Sequence, residues 1–183
     1  MARRRKTPVQ VRPGRAGTAQ RSAQRTKIEQ RILAALEKDA RLSFAELGTR
    51  VGLSKTPAWA RVRDLEQRGL ISGYHAEIAP GALGLEIHAF VHVKIRSVAS
   101  DAFESAVKAH PAVLECYTTA GDADYLLHVL VPSASSLDAL LRFELSRLPG
   151  VESVATTVAL KTIKPRGFIM DCARYGETQA PAR

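Results

Sequence analysis

Apolar residues along the chain change their spacing once. From Thr26 to about Ile78 they recur every three or four positions, the period of an amphipathic helix. From about Glu86 onward stretches of strict alternation appear, the period of a strand with one buried face.

The first stretch predicts three helices. Thr26-Lys-Ile-Glu29 has the Ser/Thr-x-x-Glu form of a capping box, and Ile28, Ile32, Ala35 and Leu36 follow on one stripe to a helix end near Lys38. A second box, Ser43-Phe-Ala-Glu46, opens a short helix carrying Phe44, Leu47 and Val51, after which Gly52 reverses the chain. Ser54 is placed to cap a third, with Pro57 in its first turn and Gly69 as its stop. Three helices with a tight turn between the last two form a helix-turn-helix. Beyond it, Leu70 to Ile78 alternates around Gly73, which predicts the small hairpin of a winged domain.

The second stretch predicts the order βαββαβ. Ile87, Ala89, Val91, Val93 and Ile95 share one face of a strand, with His88, Phe90, His92 and Lys94 on the other. Ser100 caps a helix with Phe103, Ala106 and Val107 inward. Val113–Thr119 and Ala123–Val131 are strands about the Gly121-Asp122 turn, Ser136–Leu148 is a helix, and Val151–Lys164 is the last strand. That order is the ferredoxin-like arrangement, a four-stranded antiparallel sheet with two helices on one face. The fold class expected is therefore α+β, a winged helix-turn-helix followed by a ferredoxin-like domain. The segments are 1–26 as an arm, 27–78 for DNA binding, 79–85 as linker, 86–165 for the ferredoxin-like domain and 166–183 as a C-terminal tail. The open sheet face, partly the apolar Phe90, asks for a partner, so self-association is expected.

Charge adds one thing to this picture. The net +9 of the chain comes from its first 27 residues, which hold nine basic groups and no acid; the remainder is balanced, with 18 of each sign. This arm is Pro/Gly/Gln-rich and poor in large apolar side chains, which predicts disorder when free and suits phosphates. It lacks the apolar core of a signal peptide, and no window approaches the apolar length of a membrane span. Two cysteines, Cys116 and Cys172, form no CxxC and no Cys/His zinc spacing, so a reducing, cytoplasmic setting is expected, with no metal and no cofactor.

The third helix carries the sharpest chemistry. Ala58, Val62, Leu65 and Gly69 fall on one stripe at 100° per residue, which turns Thr56, Ala60, Arg63 and Gln67 outward, with Trp59 and Arg61 on the flanks. The N-terminal part of such a helix enters the major groove of double-stranded DNA. The candidate contacts are Ser54, Lys55, Thr56, Trp59, Arg61 and Arg63, led by Arg63 and Lys55. For Arg61 a salt bridge to Asp64 competes with a phosphate contact, and for Trp59 packing on a neighbouring element competes with DNA.

Taken together, Glu37-Lys-Asp-Ala-Arg41-Leu-Ser43, Glu46-Leu47, Arg50-Val-Gly-Leu-Ser54-Lys-Thr-Pro57 and Arg61-Val-Arg63-x-Leu-Glu66-x-x-Gly69-x-Ile71-x-Gly-Tyr74 resemble the DNA-binding half of the Lrp/AsnC, or feast/famine, transcriptional regulators. Gly121-Asp122-Ala123-Asp124-Tyr125-Leu-Leu and Leu148-Pro-Gly-Val151 resemble the family's effector-sensing and oligomerisation domain, and the resemblance spans residues 27 to about 165. It implies a DNA-binding regulator assembled from dimers, often to octamers, with a small effector, commonly an amino acid, held between subunits. By the same resemblance the effector site maps to Gly121, Asp122, Asp124, Tyr125, Thr157 and Ala159. The residue types allow it: an amino acid needs acceptors for its ammonium group, which Asp122 and Asp124 offer, and donors for its carboxylate, which Thr119, Thr156 and Thr157 offer. Ordinary turn chemistry is the competing role for Asp122. The family often has a larger residue at position 159 and an aromatic at 157, and a shorter arm. Siroheme decarboxylases resemble the same two-domain fold, and His75, His88, His92, His110 and His128 supply acid/base groups in principle, yet no GxSxG, HExxH, P-loop or Rossmann fingerprint occurs. An effector-sensing protein with a degenerate DNA-binding half is the other alternative.

Overall fold

The computed structural model describes residues 15–179, with side chains from 26 to 178. The chain forms two compact units: residues up to Ala76 together with those from Arg166 make one, and Glu77–Pro165 the other.

In the first unit α1 (Arg15–Lys38), α2 (Phe44–Val51) and α3 (Lys55–Gln67) enclose Ile32, Leu47, Val51, Val62 and Leu65, all nearly inaccessible to water. Each such side chain contributes about 1.5–3 kcal/mol by leaving water. The capping box at Ser43 is formed in full: Ser43 Oγ accepts from the Glu46 N–H at 3.3 Å and Glu46 Oε2 accepts from the Ser43 N–H at 2.9 Å. Gly52 ends α2 with φ 75°, a left-handed conformation that only glycine adopts cheaply. Arg31 of α1 donates to the Arg50 carbonyl at 2.9 Å and so ties α2 to α1 at that same end.

Four sequence expectations for this unit are corrected. The first helix starts at Arg15, not at Thr26, because residues 15–25 are mostly Ala, Gln, Arg and Ser and carry no helix breaker beyond Gly17. Thr26-x-x-Glu29 is therefore interior to α1 rather than its cap, and residues 15–26 are not arm; residues 1–14 of the expected arm lie outside the described residues. No hairpin forms between Leu70 and Ile78. Leu70 and Ile71 turn back onto the Leu65 carbonyl, with Ile71 half-buried on the core of this unit, and from Ser72 to Ile78 the chain is exposed and belongs to no strand. The supposed C-terminal tail contains α6 (Ile169–Gln179), which packs against α1.

The second unit is the expected α+β sandwich. Strands β1 (Ile87–Ile95), β2 (Val113–Thr118), β3 (Tyr125–Val131) and β4 (Val151–Ala159) form an antiparallel sheet in the order β2-β3-β1-β4. One face of it, Ala89, Val91, Val93 and Ile95 with Tyr125, Leu127, Val129 and Val131, is buried against Phe103 and Val107 of α4 (Ser100–Ala109) and against Leu137 of α5 (Ala134–Ala139). α5 runs on as a π turn, Leu140–Glu144, and a 3₁₀ turn, Leu145–Arg147. Its cap is Ser133, whose Oγ accepts from the Ser136 N–H, so the helix starts two residues before the expected Ser136. Ser100 likewise lies inside α4, behind the cap residue Ala99, and its hydroxyl donates to the Ser97 carbonyl. The strands expected to reach Thr119 and Lys164 stop at Thr118 and Ala159, and the one expected from Ala123 starts at Tyr125. Leu160 is 97 % exposed and has no strand beside it.

Candidate nucleic-acid interface and effector site

The stripe expected to face inward on α3 does so: Ala58, Val62 and Leu65 are buried. Lys55, Thr56, Ala60, Arg63 and Gln67 are exposed. Ser54 takes the extended N-cap backbone conformation, but its side chain makes no capping bond. The reason lies three residues on, where Pro57 has no N–H for that hydroxyl to accept from. The Ser54 hydroxyl therefore stands exposed at the positive end of α3.

Arg63 has 60 % of its side chain in solvent, rests over the Trp59 ring at 5.9 Å and approaches Glu66 at 3.6 Å. Trp59 is itself 47 % exposed and serves as the platform for this guanidinium. Glu66 also accepts from the Tyr74 hydroxyl at 3.0 Å; burial first, and that carboxylate second, push the Tyr74 phenol up to about 12. Arg61 does not pair with Asp64. It reaches back to Glu29 of α1 at 3.9 Å, while Asp64 pairs with Arg68 at 2.9 Å. Arg68 also holds Glu29, at 3.2 Å, so a residue that is only 8 % exposed joins α1 to the middle and the C-terminal end of the recognition helix. Sequence reasoning missed Glu29 in this role because its place in a Ser/Thr-x-x-Glu box gave it another.

The six effector-site candidates fall in two groups. Gly121, Asp122, Asp124 and Tyr125 sit at the turn between β2 and β3, next to the end of β1: the Asp124 N–H donates to the Val93 carbonyl, and its Oδ2 accepts from the Ile95 N–H at 2.9 Å. Thr157 and Ala159 lie on the open face of β4 opposite Phe90 and His88, several positions along β1 from Val93. One chain does not bring the two groups together. At the turn there is instead a small cavity of about 130 Å³ walled by Ser97, Ser100, Thr118, Thr119, Asp124 and Tyr125. The Thr119 hydroxyl donates to the Ala123 carbonyl at 2.6 Å, and the buried Tyr125 hydroxyl donates to Glu104 at 3.0 Å. Ser97, Ser100 and Thr118 escaped the sequence reading as site residues because the stretch 97–100 and the end of β2 are brought together only by the fold.

The five histidines do not gather at one site, although the His88 and His128 rings lie 5.7 Å apart. His88, His92 and His128 share the open sheet face, where Phe90 stacks on the His128 ring at 4.9 Å and His128 Nδ1 lies 3.5 Å from Glu115. His110 pairs with Glu144 at 3.1 Å across the second unit, and His75 stands in the exposed segment after α3. Among the described residues no group of three or more His, Cys, Asp or Glu is placed to hold a metal, and no helix is long and apolar enough to cross a membrane.

A helix-turn-helix joined to a ferredoxin-like unit with a pocket at its turn defines a class, the ligand-responsive DNA-binding transcriptional regulators. Residues 25–72 match the family model described as winged helix-turn-helix DNA-binding, and residues 88–168 match that of the Lrp/AsnC ligand binding domain. The chain is 43 % identical over 141 residues to the leucine-responsive regulatory protein of Klebsiella pneumoniae, covering 75 % of this chain and 86 % of that one. A transcriptional regulator from Neisseria meningitidis, solved as a complex with L-Met, has the same fold at a TM-score of 0.75 and 31 % identity, over 78 % of this chain and 94 % of that one. A feast or famine regulatory protein from M. tuberculosis, complexed with L-methionine, gives 0.71 and 32 %, over 78 % and 97 %. The chain belongs to the Lrp/AsnC family of transcriptional regulators.

Proposed function

We propose that this regulator reads double-stranded DNA with the exposed face of α3 and responds to an amino acid taken up at the turn between β2 and β3, in the cytoplasm where both are found. The DNA reading is carried by one outward face of α3, with Ser54, Lys55 and Thr56 at its positive N-terminal end and the Arg63 cation about two turns further on. Trp59 supports Arg63 from below, and Arg61, drawn toward Glu29, is left a phosphate rather than a base as its partner.

The amino-acid reading is carried by the polar cavity beside Asp124. Asp122 is exposed in the same turn, two residues before the lining residue Asp124, and supplies an acceptor for an ammonium group, and the hydroxyls of Ser97 and Thr118 supply donors for a carboxylate. About 130 Å³ is below the roughly 300 Å³ of an ordinary small-molecule site, so one chain provides part of the pocket. A second copy, docked through the open face that carries Phe90, brings its own Thr157 and Ala159 to complete it. Two of the similar structures are methionine complexes, which favours a zwitterionic ligand here.

A thermal-shift screen of the twenty amino acids tests this. Saturation at 100 times Kd stabilises by about 2.7 kcal/mol. One or a few hits that weaken in Asp122→Asn support the reading; twenty flat curves, or a hit that Asp122→Asn leaves unchanged, refute it.

A further inference from the structure

The segment beyond Pro165 does not trail away from the second unit but returns to the first, and α6 lies outside both family-model matches, which end at residues 72 and 168. Its attachment to α1 has three parts. Both oxygens of Glu37 accept from the first amides of α6: Oε1 from the Ile169 N–H at 2.6 Å and Oε2 from the Met170 N–H at 3.0 Å. Gln30 Nε2 donates to Glu177 Oε1 at 2.8 Å, and the Lys38 ammonium lies 5.5 Å from the centre of the Phe168 ring. Met170 is buried.

The spacing is regular. Glu37 faces Met170 and Gln30 faces Glu177, seven residues apart on each helix, so α1 and α6 run antiparallel in register over about two turns. Neighbouring positions on α1 hold the other helices: Glu29 holds α3 through Arg68 and Arg61, and Arg31 holds α2 through the Arg50 carbonyl. Hence α1 is the hub of the DNA-binding unit, and α6 grips its C-terminal half. The second unit is also joined covalently to the first at both ends, before Glu77 and after Pro165.

We propose that Glu37 is a positioning residue for DNA recognition: by capping α6 it makes that helix a fourth member of the DNA-binding unit and so steadies α1, from which Glu29 holds α3. This rests on the reading that α3 contacts DNA. It gives the second unit a route to the recognition helix, from β4 through α6 to α1, separate from the segment that follows α3.

The test uses the full chain with Glu37→Ala, Glu37→Gln and Gln30→Ala. Two readouts are taken at a temperature where the fluorescence of Trp59, the single tryptophan, shows every variant folded: hydrogen exchange of α6, α1 and α3, and affinity for a duplex selected from a random pool. A merely structural role lowers the melting temperature but leaves the affinity of the folded protein alone. The positioning role predicts that Glu37→Ala speeds exchange in α6 and in α3 and weakens duplex binding by about five-fold or more, the scale of a missing helix cap. Glu37→Gln, which keeps one acceptor oxygen, falls between Ala and the parent. Unchanged protection of α6 in Glu37→Ala overturns the latch. Reduced protection of α6 with α3 exchange and duplex affinity both unchanged makes α6 a passenger and equally overturns it. If the parent itself selects no duplex, the DNA reading fails, and the α3 exchange rates still decide the latch.

Discussion

Glu29 of α1 and Arg68, the residue that ends α3, meet at 3.2 Å although they lie 39 positions apart in the chain. The carboxylate is almost withdrawn from water and also faces Arg61, so the recognition helix is held at its C-terminal end and along its flank by one buried acid. An isolated helix of this length with little apolar content would be marginal in water, which is why its orientation depends on α1.

Replacing that acid should be costly. Glu29→Ala leaves two guanidinium groups without their shared partner and is expected to lower stability by about 1.5–3 kcal/mol, the range for hydrogen bonds to charged groups. Urea unfolding followed by Trp59 fluorescence reads it, because the chain's only tryptophan lies on α3. A shift under about 0.5 kcal/mol, typical of surface substitutions, would contradict the role given to Glu29.

The α2 capping box predicts an acid limit. The Ser43 side chain and then its backbone amide hold the Glu46 carboxyl below its ordinary value of 4.5. A folded-state value lower than the unfolded one means the stabilisation is complete above about pH 4.5 and fades as pH falls through the lowered folded value. Glu46→Gln should flatten that part of the stability profile and leave the neutral region nearly level. An identical acid slope in the variant would assign it to other carboxylates.

Gly150 makes a prediction in the second unit alone. It adopts φ 73°, and a Cβ there would overlap the side chain of Ala99. Gly150→Ala should therefore cost more than the roughly 1–2 kcal/mol of a left-handed conformation by itself. Differential scanning calorimetry should show the loss in the transition of the second unit, with the Trp59 transition in place. A loss below that figure would mean the turn before β4 yields readily.

Sequence patterning reached far into this protein and failed where tertiary contacts reassign a residue. The inward set of β1 and the stripe Ala58, Val62 and Leu65 were legible because a period of two or of 3.6 fixes which side chains leave water. Thr26-x-x-Glu29 misled because a capping box states only what a side chain can do, and Glu29 finds an arginine of another helix instead. α6 was invisible since its anchor, Glu37, lies 132 residues away and no local signal couples the two. The turn Gly121-Asp-Ala-Asp124 was legible as a motif, but Ser97 and Thr118 beside it come from separate segments that only the fold brings together.

The basic arm has its own signature. Residues 2–14 contain five basic groups, Arg3, Arg4, Arg5, Lys6 and Arg12. Deleting them should flatten the plot of log K against log salt by about 0.9 for each phosphate they neutralise, a few units at most, while the ratio of selected to random duplex barely moves. A salt slope equal to the parent's would show that the arm does not touch phosphates.

The claim that α3 reads DNA through its exposed face rests most directly on Arg63, and the decisive measurement is the affinity of Arg63→Ala for the selected duplex against a scrambled one, by fluorescence anisotropy at fixed salt. The side chain is solvent-facing, so the variant should fold with unchanged Trp59-detected stability apart from its weak pairing with Glu66. The account predicts a loss of about 1–3 kcal/mol on the selected duplex and a much smaller one on the scrambled duplex. A folded Arg63→Ala protein that binds the selected duplex as tightly as the parent would contradict it.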